Sequence, residues 1–169
     1  MTDQRLVRLA DILVNYSVKV RKGQKVLIQN HNLEPALVKP IIAAVHAAGG
    51  LAFVDIHDKA IDRALYLDAP EEQFALQAEF ELERMRKMDA YIYNRHIWKN
   101  VHIDQRVPHT TWVVLRYPSP AMAQNAGMSE EAFEDFFFDV CTMDYAKMSA
   151  AMDPLVGLLS RTDKVHILG

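Results

Sequence analysis

Short runs of β-forming apolar residues alternate with stretches of helical periodicity, and this alternation restricts the fold more than any other feature of the chain. Residues 25–29, KVLIQ, form an apolar run followed by Asn30, His31 and Asn32. Residues 51–56 (LAFVDI), 90–93 (AYIY) and 111–116 (TWVVLR) repeat the pattern, each with the length and composition of a strand. Residues 4–19 place Leu6, Leu9, Ile12, Leu13 and Tyr16 at helical spacing and predict one amphipathic helix. Lys22-Gly23-Gln24 then breaks it. Residues 34–47 predict a second helix, in which Pro40 implies a kink or a later start and Gly49-Gly50 a stop. Residues 59–66 predict a short helix. Residues 71–89 predict a longer one, with Phe74, Ala78, Leu82 and Met85 on one face. Ser129 caps a long helical stretch whose first turn carries Glu130 and Glu131, and Pro154 is expected to divide that stretch in two. Residues 164–169, KVHILG, read as a final strand. Strands alternating with helices predict an α/β layered domain with a mainly parallel sheet flanked by helices. The 169 residues suit one such domain, 1–169.

Several function classes lose support. The formal net charge is -3 and no basic stripe is present, so a nucleic-acid partner is not expected. The longest apolar runs are short and broken by charge or proline, so no membrane-spanning helix and no secretory signal are expected. Neither glycine-rich phosphate loop occurs, nor a G-x-S-x-G elbow. The single cysteine, Cys141, fits a reducing cytoplasm. Its position beside Phe133, Phe137 and Val140 reads as a small buried apolar group rather than a nucleophile.

Metal ligation needs several His, Asp, Glu or Cys side chains converging on one point. Asp55 and His57 are two apart, so in a strand they share a face at its carboxyl end, where open α/β sheets place ligands. His102 and Asp104 have the same spacing, and His31 follows the first strand. Each of these also reads simply as a solvated strand end, and spacing alone positions no third ligand. His46 lies among helical alanines and is expected to pack or face solvent. Phe133, Phe136, Phe137 and Phe138 are expected in the core.

Three stretches carry a family resemblance: LADILVNYSVKVRKGQKVLI at 9–28, WVVLRYPSPAMAQNAGMSEEAFEDFFFDVCTMDYAKM at 112–148, and AMDPLVGLLSRTDKVHILG at 151–169. The most specific part is the ordered set RYPSPAMAQ, SEEAFEDF and DVCTMDY. The chain resembles the amino-terminal domain of metallo-aminopeptidases of the aminopeptidase T type, also called thermophilic metallo-aminopeptidases. The resemblance implies a cytoplasmic, homodimeric exopeptidase that removes residues from peptide N-termini. It also implies two divalent metal ions, zinc, cobalt or similar, that polarise the scissile carbonyl and activate water. It places their ligands in a carboxyl-terminal domain beginning where this chain ends. No catalytic residue, metal ligand or bound cation is therefore expected within residues 1–169, and the chain alone is expected to be inactive. Its contribution would be a cleft wall and a dimer surface, with Arg116, Tyr117 and Gln124 as candidates to face the cleft. The competing structural roles are pairing of Arg116 with Glu134 or Asp135 and packing of Tyr117 under the proline turn. One departure from the family pattern is the segment 94–110, NRHIWKNVHIDQRVPHT, which is shorter than the insert expected before TWVVLR and puts the pairing of the third strand in question. The alternatives to a peptidase domain are a stand-alone, non-catalytic binding or regulatory module and a small-molecule-binding domain that uses the Asp55–His57 edge.

Overall fold

Five consecutive buried residues, 26–30, put strand β1 (Lys25–His31) at the centre of the sheet. A strand covered on both faces reads as a continuous apolar run, which is why KVLIQ lacks alternation. The computed structural model describes residues 3–31, 36–94 and 107–166. On one side β1 pairs in parallel with β2 (Leu51–His57), in the register Val26↔Ala52, Gln29↔Asp55 and His31↔His57. On the other it pairs in parallel with β3 (Ala90–Asn94), and β3 with β4 (Thr111–Val114). The order is β2-β1-β3-β4, with every pair parallel. The expected mainly parallel α/β sheet is therefore present, and the third strand is paired on both sides.

Helices cover both faces. Helix α1 (Gln4–Asp11) begins at Asp3, whose side chain accepts from the Arg5 backbone N–H at 2.8 Å. The expected single helix over 4–19 is shorter. It passes at Ile12 into a π-helical turn, Ile12–Ser17, where the Val18 N–H donates to the Leu13 carbonyl at 3.1 Å. Helix α2 (Val38–Ala47) takes the later start, with Pro40 in its first turn, where a missing N–H costs no helical bond. Gly49 then leaves it at φ 77°, a left-handed conformation that suits glycine. Leu6, Leu9, Leu13, Val14, Ile41 and Val45 of this layer pack with Val26, Ile28, Ala90 and Ile92. Full burial of each large side chain there contributes about 1.5–3 kcal/mol.

Helices α3 (Lys59–Tyr66) and α4 (Glu71–Arg86) connect β2 to β3. Met85 of α4 and the following Met88 pack against Leu27 and Tyr91. The alternation of side chains along a strand thus sends Val26 and Ile28 to one layer and Leu27 to the other.

Beyond a single turn, α5 (Val107–His109), and β4 come α6 (Pro120–Asn125), α7 (Glu130–Cys141) and α8 (Tyr145–Leu159). Ser129 caps α7 as expected, its hydroxyl accepting from the Ala132 N–H at 3.2 Å. The break after α7 falls at Thr142–Asp144 rather than at Pro154. Asp144 caps a new helix by accepting from the Lys147 N–H at 2.9 Å, and α8 runs through Pro154. One missing N–H is absorbed there, while the acidic cap resets the chain. The phenylalanine cluster is only partly core: Phe138 is buried, but Phe136 is 54% exposed, because one face of α7 meets the domain. Residues 164–166 are irregular rather than strand, and 167–169 lie outside the described residues. No helix among the described residues is long and apolar enough to cross a membrane.

Candidate functional site

Strand alternation sends Gln29 and His31 of β1, and Asp55 and His57 of β2, to the face covered by α3 and α4. Parallel register sets Gln29 beside Asp55 and His31 beside His57. The two imidazole rings stack, with centroids 4.3 Å apart and an interplanar angle of 19°. Asp58 follows directly and caps α3, its Oδ1 accepting from the backbone N–H groups of Ala60 at 2.8 Å and Ile61 at 3.1 Å. Starting the helix there brings Asp62 back over the strand ends after one turn. Asp62 Oδ1 lies 3.4 Å from His57 Nδ1, and Asp62 Oδ2 lies 4.0 Å from His31 Nδ1.

On its other side the His57 ring meets Asp55, with Nε2 to Oδ2 at 3.0 Å. The Gln29 amide nitrogen donates to the same oxygen at 3.0 Å and lies 3.1 Å from His57 Nε2. Arg84 of α4 pairs with Asp55 and also with Glu81, at 3.1 Å. The Tyr91 hydroxyl, fully buried, donates to Gln29 Oε1. Burial raises the Asp55 pKa, but hydrogen bonds from Arg84, His57 and Gln29 outweigh it and lower the pKa from 3.8 to about 2. For Arg84, burial works against the charge, and the bond to Asp55 with the nearby Glu81 carries the pKa above its ordinary value.

Of the residues singled out in the sequence, Asp55, His57 and His31 converge here. Asp55 and His57 lie in a half-buried network rather than in a solvated loop. Asp62, Gln29, Arg84 and Tyr91 were not anticipated. Asp62 had a signal: an Asp directly after a strand is a helix cap, which fixes where the next turn points. His102 and Asp104 lie outside the described residues. His46 is exposed on α2, and Cys141 is half-buried against the core, its thiol pKa raised by burial. Arg116, Tyr117 and Gln124 do not join the cluster. Tyr117 packs against Phe137 and Phe138, with ring centroids at 6.1 and 6.2 Å, on the opposite layer. Arg116 is exposed, and the carboxylates of Glu134 and Asp135 pair with Arg5 instead, at 3.5 and 2.7 Å. Gln124 is exposed on α6.

A sequence model of the family described as thermophilic metalloprotease (M29) matches residues 2–97, more than half of the chain. The chain belongs to the thermophilic metalloprotease (M29) family. Among solved structures it is similar to wild-type AmpT from Thermus thermophilus, with a TM-score of 0.61 and 17% identity over 87% of this chain and 45% of that one. At that identity the likeness speaks for the fold, and the chain spans less than half of AmpT's length. A further similarity, to a CurK enoyl reductase, has a TM-score of 0.39 at 13% identity, over 71% of this chain and 44% of that one, and carries no argument. No curated protein matches the sequence significantly.

Membership in a metalloprotease family raises the question of which residues could hold a metal. Among the described residues, His31, His57 and Asp62 form the one group of three whose ligating atoms all lie within 4.8 Å of one another. Three ligands suit one cation. A hydrolytic metal pair, its ions ~3.5–4 Å apart, needs bridging groups and more donors than this. The described residues of this M29 chain do not fit such a pair.

Proposed function

We propose that these residues form the amino-terminal domain of a metal-dependent aminopeptidase that removes residues from peptide N-termini in the cytoplasm. In this reading the domain builds one wall of the substrate cleft and helps to form a homodimer. Two divalent ions are held by chain beyond these residues. The supporting observation is the share of each chain in the AmpT likeness: 87% of this chain accounts for 45% of that one. Family membership supports peptide hydrolysis as the chemistry. Arg116 and Gln124, both exposed around the turn that leaves β4, remain the candidates to meet substrate. Tyr117, packed on Phe137 and Phe138, would position that turn rather than bind peptide.

The test compares two purified proteins on leucine p-nitroanilide with zinc, cobalt or manganese added. One is the 169-residue chain and the other the complete polypeptide that its gene encodes. The expected result is hydrolysis by a longer polypeptide and none by the chain. Hydrolysis by the 169 residues alone would overturn the reading. A complete product that ends at Gly169 and is inactive would point to a stand-alone binding module.

A further inference from the structure

We propose that His31, His57 and Asp62 bind one divalent cation of the zinc type at the carboxyl edge of β1 and β2. The donor set is two imidazole nitrogens and one carboxylate, which suits zinc and neighbouring transition metals; calcium and magnesium prefer all-oxygen shells. Three protein ligands leave a fourth position for water or a ligand group. His57 and Asp62 are 27% and 30% exposed, so that position reaches solvent.

The geometry is close to what a cation requires. Metal–ligand bonds of ~2.0–2.1 Å in a tetrahedral shell put ligand atoms roughly 3.3 Å apart. Asp62 Oδ1 stands 3.4 Å from His57 Nδ1 and Asp62 Oδ2 stands 4.0 Å from His31 Nδ1, and one ligating atom from each of the three residues lies within 4.8 Å of the others. Closing the widest of these gaps needs a shift of at most about 1.5 Å, shared between rotation of the carboxylate and of the two rings. In each of the two stacked rings, Nδ1 is the atom seen in contact with the Asp62 carboxylate.

The surrounding groups are those that orient a metal-binding histidine. Ligating histidines usually donate their other ring N–H to a carboxylate or carbonyl, which fixes the tautomer. Asp55 stands 3.0 Å from His57 Nε2, placed to accept its proton when Nδ1, on the Asp62 side, binds a cation. Asp55 is itself held by Arg84 and by Gln29, and Gln29 by Tyr91. The ligands come from three different elements, so such an ion would fasten β1, β2 and α3 together. This goes beyond the expectation from sequence that no cation is held within these residues.

The test uses the untagged 169-residue protein, stripped with chelator and titrated with zinc chloride by calorimetry, with metal content measured after dialysis. Cobalt substitution adds a visible absorption band that reports a tetrahedral nitrogen–oxygen shell. The expected result is one zinc per chain. Stoichiometric binding and the cobalt band should be lost in His57→Ala and in Asp62→Asn and retained in His46→Ala. Asp55→Asn should keep the stoichiometry and weaken affinity about 10–100-fold. Far-UV circular dichroism in chelator establishes that each variant is folded. Asp62→Asn, altering a partly exposed side chain, keeps the test decisive if His57→Ala unfolds. Absence of stoichiometric zinc in the folded wild type would overturn the proposal, and so would zinc binding unchanged in both ligand variants.

Discussion

Replacing Asp55 with Asn isolates the electrostatic contribution of the network under α4. In the wild type, burial favours the protonated acid, but bonds from Arg84, His57 and Gln29 reverse this and bring the pKa from 3.8 to about 2. Between those values the folded chain binds fewer protons than the unfolded chain. Ionised Asp55 therefore adds stability that is fully present above 3.8 and lost as pH falls toward about 2. At about 1.4 kcal/mol for each tenfold change, the full contribution is about 2 kcal/mol. The side chain is 25% exposed, so solvent screens the interaction only in part. Urea unfolding followed by tryptophan fluorescence, from about pH 6 downward for as long as both proteins stay folded, gives the stability of wild type and Asp55→Asn. The wild-type advantage should shrink by up to about 2 kcal/mol across that range. The Asp3 and Asp89 carboxyls, also lowered below their ordinary value, are present in both proteins and cancel in the comparison. An advantage that stays constant with pH would refute the assignment of the low pKa to this ion pair.

Four further outcomes follow from other parts of the molecule. Gly50→Ala should destabilise by about 1–3 kcal/mol, because its Cβ would stand 2.8 Å from Val20 Cγ1 and 3.0 Å from Val45 Cγ1. Gly157→Ala, with open space around the site in a helix, should stabilise by about 0.5–1 kcal/mol; thermal melts of both variants check the opposite signs. Light scattering across a dilution series should show the 169-residue chain self-associating, since Met152, Leu155, Val156 and Leu158 of α8 and Phe53 and Ile56 of edge strand β2 are exposed; a monomer at every concentration would contradict this. Arg116→Ala in the complete polypeptide should leave its melting temperature nearly unchanged and lower kcat/KM, whereas lost stability with unchanged kinetics would assign the residue a structural role.

What could be read from the sequence was local. The four strands and their parallel arrangement follow from apolar runs separated by helical periods, and Asp55 and His57 share a face because the strand period is two. The late start of α2 follows from Pro40, and the cap of α7 from Ser129. The failures needed information from elsewhere in the fold. Asp62 becomes a third ligand only when Asp58 fixes the start of α3 and the register sets His31 beside His57. Arg84 meets Asp55 from a helix that crosses behind the sheet, a contact with no sequence periodicity to announce it. Pairing of Arg116 with Glu134 or Asp135 was the competing structural role, yet Arg5 reaches both carboxylates from the far end of the chain. Pro154 was expected to divide the last helical stretch, but the division falls where Asp144 caps a new helix that continues through Pro154.

The short span from Asp58 to Asp62 joins two tasks in one turn of backbone. The first carboxylate holds the amide groups that begin α3, and the second faces the stacked imidazoles. Fraying of that opening turn would therefore swing Asp62 away from the rings, which the paired strands hold in place. Whatever steadies the start of α3 thus decides whether the third side chain stands beside the other two.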